Sequence, residues 1–153
     1  MWRNSVIFEK APINGTTPVP PIVSIRGLTK VFGPDTAKTL ELHRSGRSKR
    51  EIYEETGATL ALSDISLDIL PGEIFVLMGL SGSGKSTILR CINRLIEPTN
   101  GEIRIGGEDI VGMSRDELRE TRRRRLGMIF QSFALLPHRT VLDNVAFGLE
   151  IQG

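Results

Sequence analysis

Alternating apolar and polar positions in two early stretches of the chain predict β-strands. In "TLALSDISLDIL" (59–70) polar residues separate Ile65, Leu67 and Ile69, which is the pattern of a strand with one buried face. "IVSIRGLTKVFG" (22–33) is rich in β-branched residues, which favour strands. We therefore expect the folded part of the chain to begin with two strands, the first starting near residue 22.

Continuous apolar runs predict further strands that are covered on both faces. "IFVLM" (74–78) follows a tight turn at "PGE" (71–73), and "LGMIF" (126–130) is a second run of this kind. Such runs are typical of strands in parallel sheets, whose two faces are both buried. Between these runs, "EPTNGEIRIGGEDI" (97–110) predicts a turn, a short strand and another turn.

Helical spacing and capping signals predict four helices. Apolar residues fall on one stripe between about Lys85 and Leu95, as in a helix packed on one side. A Ser or Thr followed three residues later by an acidic residue is a start signal for the other three. These pairs are Ser48 and Glu51 for a helix at 49–56 that Gly57 would end, Ser114 and Glu117 for 114–125, and Thr140 and Asp143 for 140–151.

This order of strand, loop, helix and strand predicts an α/β fold with an antiparallel β portion at its start, followed by the beginning of a parallel sheet. Residues 1–21 are rich in proline and small polar residues, which predicts a flexible extension before a folded region at 22–153. Within that region, 34–57 is a polar stretch that interrupts the strands.

The composition indicates one ordinary globular domain. The 153 residues are 39% apolar and 25% charged, and the net charge of +2 with 5% aromatic residues does not favour a nucleic-acid partner. The single cysteine, Cys91, excludes an internal disulfide. No apolar run reaches the roughly 18 residues that a membrane-spanning helix needs. We expect a cytoplasmic chain that would meet a membrane only through a partner.

The clearest chemical signal is a phosphate-binding loop of the Walker A type. Gly79, Gly84, Lys85 and Ser86 match G-x-x-x-x-G-K-[ST] at every fixed position. Glycines let the backbone approach phosphate oxygens, Lys85 would reach the β- and γ-phosphates, and the Ser86 hydroxyl would bind Mg²⁺. The predicted nucleotide-binding residues are Gly79, Leu80, Ser81, Gly82, Ser83, Gly84, Lys85, Ser86 and Thr87. A structural glycine-rich turn is the alternative, but the predicted strand before the loop and helix after it favour nucleotide binding.

The wider sequence resembles the ATPase subunits of ATP-binding-cassette (ABC) transporters. "PGE" before the loop, "NRLIEPTNGEI" after the helix and "FQSFALLPHRTVLDN" further on carry this resemblance over about residues 22–153. Together with the inserted "SKREIYEETG", they resemble importers of the glycine betaine/proline type, which take up quaternary amines as osmoprotectants. The resemblance implies the P-loop NTPase core of a nucleotide-binding domain that uses ATP and Mg²⁺.

The resemblance also implies roles for residues outside the loop. Gln131 matches the family glutamine that contacts Mg²⁺ and the attacking water, so it would contribute to catalysis with Lys85; an ordinary surface glutamine at a strand end is the alternative. Phe32 is the candidate for stacking on adenine, with a core phenylalanine as the alternative, and Tyr53 is a weaker candidate. Family members work on the cytoplasmic face of the plasma membrane with a second ATP-binding copy. They bind a permease through the glutamine loop and depend indirectly on a substrate-binding protein.

Three elements of a complete cassette ATPase are not found in these 153 residues. The family has an LSGGQ-like signature, an apolar strand that ends in Asp-Glu, and a switch histidine, and the glutamate is its general base. The helical region with the signature would begin near Gly153, so we expect an N-terminal portion of a larger protein. The portion would bind ATP without efficient hydrolysis and would expose apolar surface.

Two alternatives therefore stay open beside the quaternary-amine importer. One is a non-catalytic nucleotide-binding fragment, and the other is an ABC importer ATPase for another cargo, such as an amino acid. The remaining conspicuous residues are interpreted conservatively. The arginine run 122–125 is expected on a solvated helix face, His138 on a loop surface, Cys91 in the core, and His43 has no assigned role.

Overall fold

The computed structural model of the protein describes residues 19–129 and 135–152, with the side chain of Gln152 excepted. The expected extension at 1–21 lies almost entirely outside these residues. The chain forms two compact units that divide after Gly112, and each is described by itself. In chain order the elements are β1 (Val23–Phe32), α1 (Thr36–Arg44), α2 (Lys49–Thr56), β2 (Thr59–Ile69), α3 (Lys85–Ile92), β3 (Asn100–Ile105), β4 (Glu108–Asp109), α4 (Arg115–Arg125) and α5 (Val141–Gln152).

The first unit is built on a four-stranded sheet with the order β2-β1-β3-β4, in which every pairing is antiparallel. Ile25 in the central strand lies opposite Leu67 of β2 and Ile103 of β3, and all three side chains are buried. Such cross-strand apolar rows stabilise a sheet and fix its register. The two strands predicted near the start of the chain and the short strand within 97–110 are thus confirmed.

The backbones of the paired strands β1 and β3 approach each other closely at Gly101, near a bulge. A Cβ on Gly101 would lie 2.7 Å from Gly27 O and from the backbone of Leu28, where no side chain fits. The register of β1 shifts over the same residues, and Gly27 has a positive φ of 60°. A bulge of this kind bends a strand and increases its twist.

Helices α1 and α2 fill the polar stretch between β1 and β2. The predicted helix at 49–56 is confirmed as α2, with the complete Ser48–Glu51 capping box and Gly57 in the left-handed C-cap conformation. Helix α1 was not predicted. The helices contact each other, and Leu40 of α1 packs against a buried cluster of Val31 in β1, Leu60 in β2 and Ala58 just before β2. The insertion is therefore a folded part of the first unit.

The second unit contains helices α4 and α5. Both were predicted from their capping pairs, and the bonds are present: Ser114 accepts from Glu117 N, and Thr140 Oγ accepts from Asp143 N at 3.2 Å. The apolar residues of α5 at helical spacing, Val141, Val145 and Leu149, are exposed. Among residues 19–129 and 135–152, no helix is both long enough and apolar enough to span a bilayer.

Two predicted strands are not strands in the structure. The described backbone of 74–78 and of 126–129 forms no ladder, and Ile74 is 90% exposed while Val76 and Met78 are also exposed. A parallel strand receives its hydrogen bonds from strands distant in sequence. The ladder pairs within residues 19–129 and 135–152 are all antiparallel, so the parallel pairing expected for these two runs is not present there. The predicted exposure of apolar surface is confirmed here.

Candidate functional site

The candidate site is the loop at residues 79–84 and the first turn of α3. Lys85 begins the helix, and its side chain folds back over the loop. Its Nζ donates to Gly79 O at 2.7 Å, to Leu80 O at 2.8 Å and to Ser83 Oγ at 3.3 Å. The structure therefore brings the predicted lysine and the glycine-rich loop together, with the ammonium group held at the loop's own carbonyl oxygens.

The base of the loop lies directly against strand β2. A Cβ on Gly84 would approach Leu62 Cδ2 to 2.8 Å and Ala61 O to 3.1 Å, and its φ of 95° is unfavourable for other residues. At the tip, by contrast, an added Cβ on Gly82 would meet no atom within 4 Å. Close packing thus requires glycine at position 84, whereas at position 82 there is space for a side chain.

The start of α3 presents backbone amides to the loop. The first intrahelical bond is Ile88 N to Gly84 O at 2.9 Å, so the amides of Lys85, Ser86 and Thr87 precede the helical ladder. Such amides, with the positive end of the helix dipole, favour an anion. Ile88 and Cys91 anchor the helix through its buried face, whereas Leu89 and Leu95 of the predicted stripe are exposed.

Phe32 lies at the end of β1, near the same part of β2 as the loop. It pairs with Thr59, and Lys30 pairs with Leu62, the residue that borders Gly84. The Phe32 residue is 40% exposed, which is not the burial expected of a core phenylalanine. The alternative of a plain core residue is therefore wrong.

Lys30 is a feature of this region that the sequence analysis missed. Its Nζ lies 4.9 Å from the centroid of the Phe32 ring, within the range of a cation–π contact. The spacing of a lysine two residues before an aromatic residue on a predicted strand places both on one face, so the signal was present in the sequence.

Gln131 and Tyr53 are the two other candidates that the sequence predicted. Gln131 lies outside the described residues, so its predicted role stays a prediction. Tyr53 is exposed on α2, within the insertion.

The conservative interpretations of the remaining residues are largely supported. Cys91 is fully buried, and burial raises the pKa of its thiol. His138 is exposed, and the arginine run is partly compensated because Arg123 and Arg124 bind Glu120. His43, to which no role was assigned, contacts the Ser63 hydroxyl and so links α1 to β2.

The loop suits the phosphates of a nucleotide with Mg²⁺. Lys85 supplies the cation, the backbone amides of the first helical turn supply donors, and the exposed Ser86 hydroxyl supplies a hard oxygen donor. Within the described ranges no group of three or more His, Cys, Asp or Glu residues could hold a metal ion. One hydroxyl donor beside a phosphate loop matches the way Mg²⁺ is usually held, with phosphates and water completing its shell.

Comparison with known proteins places this loop within a family. The family model described as ABC transporter matches residues 62–152, which is more than half of the chain. A glycine betaine transport ATP-binding protein, OpuAA of Bacillus subtilis, is 50% identical over 131 residues, covering 86% of this chain and 31% of its own length. The glycine betaine/proline betaine ATP-binding protein ProV of Escherichia coli is 54% identical over 131 residues and is covered to 33%.

A methionine import ATP-binding protein, MetN of Desulfitobacterium hafniense, is 60% identical over a shorter stretch of 94 residues, or 61% of this chain and 27% of its own length. The chain thus spans about a third of the length of these curated relatives or less.

A solved structure shows the same fold. The dimeric ATP-binding cassette MJ0796, in a post-hydrolysis state bound to ADP and Pi, matches with a TM-score of 0.67 and 32% identity. The match covers 86% of this chain and 48% of the solved one. An ABC ATPase domain binds nucleotide, in agreement with the phosphate loop. The family match and the structural match together establish that the chain belongs to the ABC transporter family and has part of the ABC ATPase fold.

Proposed function

We propose that the chain is the nucleotide-binding portion of an ABC importer subunit that couples ATP hydrolysis to uptake of glycine betaine/proline-type quaternary amines. The observation that carries this proposal is the identity of 50–54% over 131 residues with two betaine-transport ATP-binding proteins. A match of that length within 153 residues must include positions 23–131. It therefore extends across helices α1 and α2, the insertion that the sequence analysis identified as the subfamily feature.

Lys85 and the loop have the central role in the proposed site. The ammonium group that now binds Gly79 O and Leu80 O is placed to bind the β- and γ-phosphates. Backbone amides at 79–87 hold the remaining phosphate oxygens, and Thr87 contacts the α-phosphate. Phe32 stacks on adenine with its exposed surface.

The Ser86 hydroxyl is the proposed Mg²⁺ ligand in the described part of the chain, and Gln131 is the proposed second contact. The metal, when bound, neutralises charge that develops on the phosphates during transfer. The general base is not among the residues assigned here, so Lys85 and Gln131 contribute to catalysis without activating the water alone.

The proposed partners follow from the importer function. A second copy of the ATP-binding subunit would bind so that ATP lies between the two copies. A permease would bind the loop that contains Gln131. A substrate-binding protein delivers cargo to that permease. The subunit would then work peripherally on the cytoplasmic face of the plasma membrane.

Nucleotide binding is tested first, by calorimetric titration of the purified protein with MgATP. We expect Lys85→Ala to weaken binding by at least tenfold, because it removes the cation from the phosphate site. Lys38→Ala is the matched control, since Lys38 pairs with Glu55 at 3.0 Å in the insertion and also carries one positive charge. Equal affinity of wild type and Lys85→Ala would refute the proposed site.

Cargo is tested by uptake in osmotically stressed cells from which the gene containing this sequence is deleted, with other betaine importers absent. We expect glycine betaine uptake to fall and to return with the wild-type gene but not with Lys85→Ala. Normal uptake in the deletion strain would contradict the quaternary-amine assignment.

A second candidate function is an importer for methionine or another amino acid. The 60% identity to the methionine import protein over 94 residues favours it, although that match covers less of the chain. The same deletion strain distinguishes the two candidates, because loss of methionine uptake with normal betaine uptake would support the amino-acid cargo.

A further inference from the structure

Lys30 and Phe32 form a cation–π contact at the end of β1. Both residues lie on β1, two positions apart, and Lys30 Nζ is 4.9 Å from the ring centroid. Phe32 is exposed to 40% and Lys30 is half-buried, so the pair lies at the surface. The aromatic ring therefore keeps surface that a ligand could contact.

The Lys30–Phe32 pair lies close to the phosphate loop. Lys30 is the register partner of Leu62, and Leu62 Cδ2 lies 2.8 Å from the position that a Cβ on Gly84 would occupy. One side chain of β2 therefore separates the pair from the base of the loop. A nucleotide whose phosphates occupy the loop would have its base within this neighbourhood.

The charge of Lys30 also acts toward α3, the helix that follows the loop. Burial raises the pKa of the Cys91 thiol, and the positive charge of Lys30 opposes that effect. The charge of Lys30 is therefore felt at Cys91 on α3, while its ammonium group lies over the Phe32 ring.

We propose that Lys30 is a positioning residue for nucleotide binding, whose ammonium group holds the Phe32 ring in the orientation that stacks on the base. This rests on the proposed function, in which Phe32 contacts adenine. A side chain fixed before binding loses less conformational entropy when the ligand arrives. The ammonium occupies one face of the ring, and the exposed remainder of Phe32 is the surface that meets the base.

The test compares a ligand with a base and one without. Titrations of the purified protein use MgATP and magnesium tripolyphosphate, which shares the phosphate chain but has no ring to stack. We expect Lys30→Met, which keeps the apolar stem, to weaken ATP binding about two- to fivefold, the range that an exposed cation–π contact confers. Tripolyphosphate affinity should be unchanged, and Lys30→Arg should bind ATP as wild type does.

Two further variants separate positioning from other effects. Lys38→Met removes one surface charge elsewhere and should change neither affinity. In a Phe32→Leu background, Lys30→Met should have no further effect, because the ammonium then has no ring to hold. Thermal melting of each variant checks that the fold is intact.

The contradicting results are distinct. Equal loss of ATP and tripolyphosphate affinity in Lys30→Met would mean a direct phosphate contact and overturn the positioning role. If the wild type binds ATP and Lys30→Met binds it with the same affinity, the positioning role of Lys30 is overturned, and the proposed function is not affected. A wild type that binds neither ligand would overturn the proposed function itself.

Discussion

The carboxamide of Asn144 binds both backbone groups of Leu136: Oδ1 accepts from Leu136 N at 2.8 Å, and Nδ2 donates to Leu136 O at 3.2 Å. The same Nδ2 lies 2.9 Å from Thr140 O and 3.3 Å from Arg139 O. One half-buried side chain at the start of α5 therefore holds the segment that leads into the helix, and that segment carries the exposed His138.

Removal of this carboxamide should loosen the segment. We expect Asn144→Ala to cost about 1–3 kcal/mol of stability, because backbone groups of Leu136 lose their partners. Hydrogen exchange of the Leu136 amide should accelerate in step. Asn144→Asp is the control, since it keeps the acceptor for Leu136 N and should protect that amide better than alanine does. An unchanged Leu136 exchange rate in Asn144→Ala would contradict the geometry.

The two loop glycines should respond differently to alanine. Gly84→Ala and Gly82→Ala both place a side chain at positive φ, 95° and 77°, which costs about 1–2 kcal/mol. Only Gly84→Ala also drives a methyl group into Leu62 and Ala61 O, which adds about 1–3 kcal/mol of overpacking. Urea unfolding of both variants measures the difference in the free energy of unfolding. Equal losses would show that the loop does not pack against β2 at Gly84.

Thr56 should be more important than its neighbour Thr39 in the insertion. Its hydroxyl donates to Ile52 O at 2.7 Å and accepts from Ala58 N at 3.1 Å and Thr39 Oγ1 at 3.3 Å. Thr56→Val leaves the buried Ala58 amide without this partner, so we expect a loss of about 1–3 kcal/mol. Thr39→Val leaves Thr56 bonded at both other partners and should cost under about 1 kcal/mol. Unfolding curves of the two isosteric variants decide the order.

Stability should depend on pH through the cap of α4. Hydrogen bonds from the Ser114 side chain and backbone lower the pKa of Glu117. Since the folded pKa lies below the unfolded one, the stabilisation is present above the unfolded value and is lost as pH falls through the folded value. Unfolding measured between about pH 6 and pH 3 should show a shallower pH slope in Glu117→Gln than in wild type. Ser114→Ala keeps the backbone donor and removes only the side-chain bond, so it should flatten the slope in part. Identical slopes in all three proteins would refute the effect.

Local signals in the sequence predicted local structure well. Both capping boxes, the glycine at the end of α2 and the loop–helix junction at Lys85 depend on residues within a few positions of each other. Helix α1 lacked any such signal. Its N-cap, Asp35, has a left-handed backbone and makes no side-chain capping bond, and Thr39 is its fully buried residue. Contact with α2 and the sheet stabilises it instead, and that contact is not visible in a short window of sequence.

The apolar runs 74–78 and 126–130 were predicted as strands, and that prediction was wrong for the residues that the structure describes. Their composition correctly indicates residues suited to burial, but burial of a parallel strand depends on partners far along a chain. Ile74 and Ile129 are exposed in the structure, and neither belongs to a strand within the described residues. In the candidate site, the motif placed the loop correctly. The nearness of Phe32 to the loop required the β1–β2 register, which the intervening insertion obscured.

The pairing of Phe32 with Thr59 means that α1 and α2 leave and rejoin the sheet at a single rung. Gly33 reinforces this closure, since a Cβ there would lie 3.0 Å from Ala58 Cα. In topological terms the two helices are an enlarged hairpin loop, and loop-closure cost grows only slowly with length. A short turn could replace them without altering any strand partner. The strand partners in the sheet beside the phosphate loop are therefore independent of the length of the connection between β1 and β2.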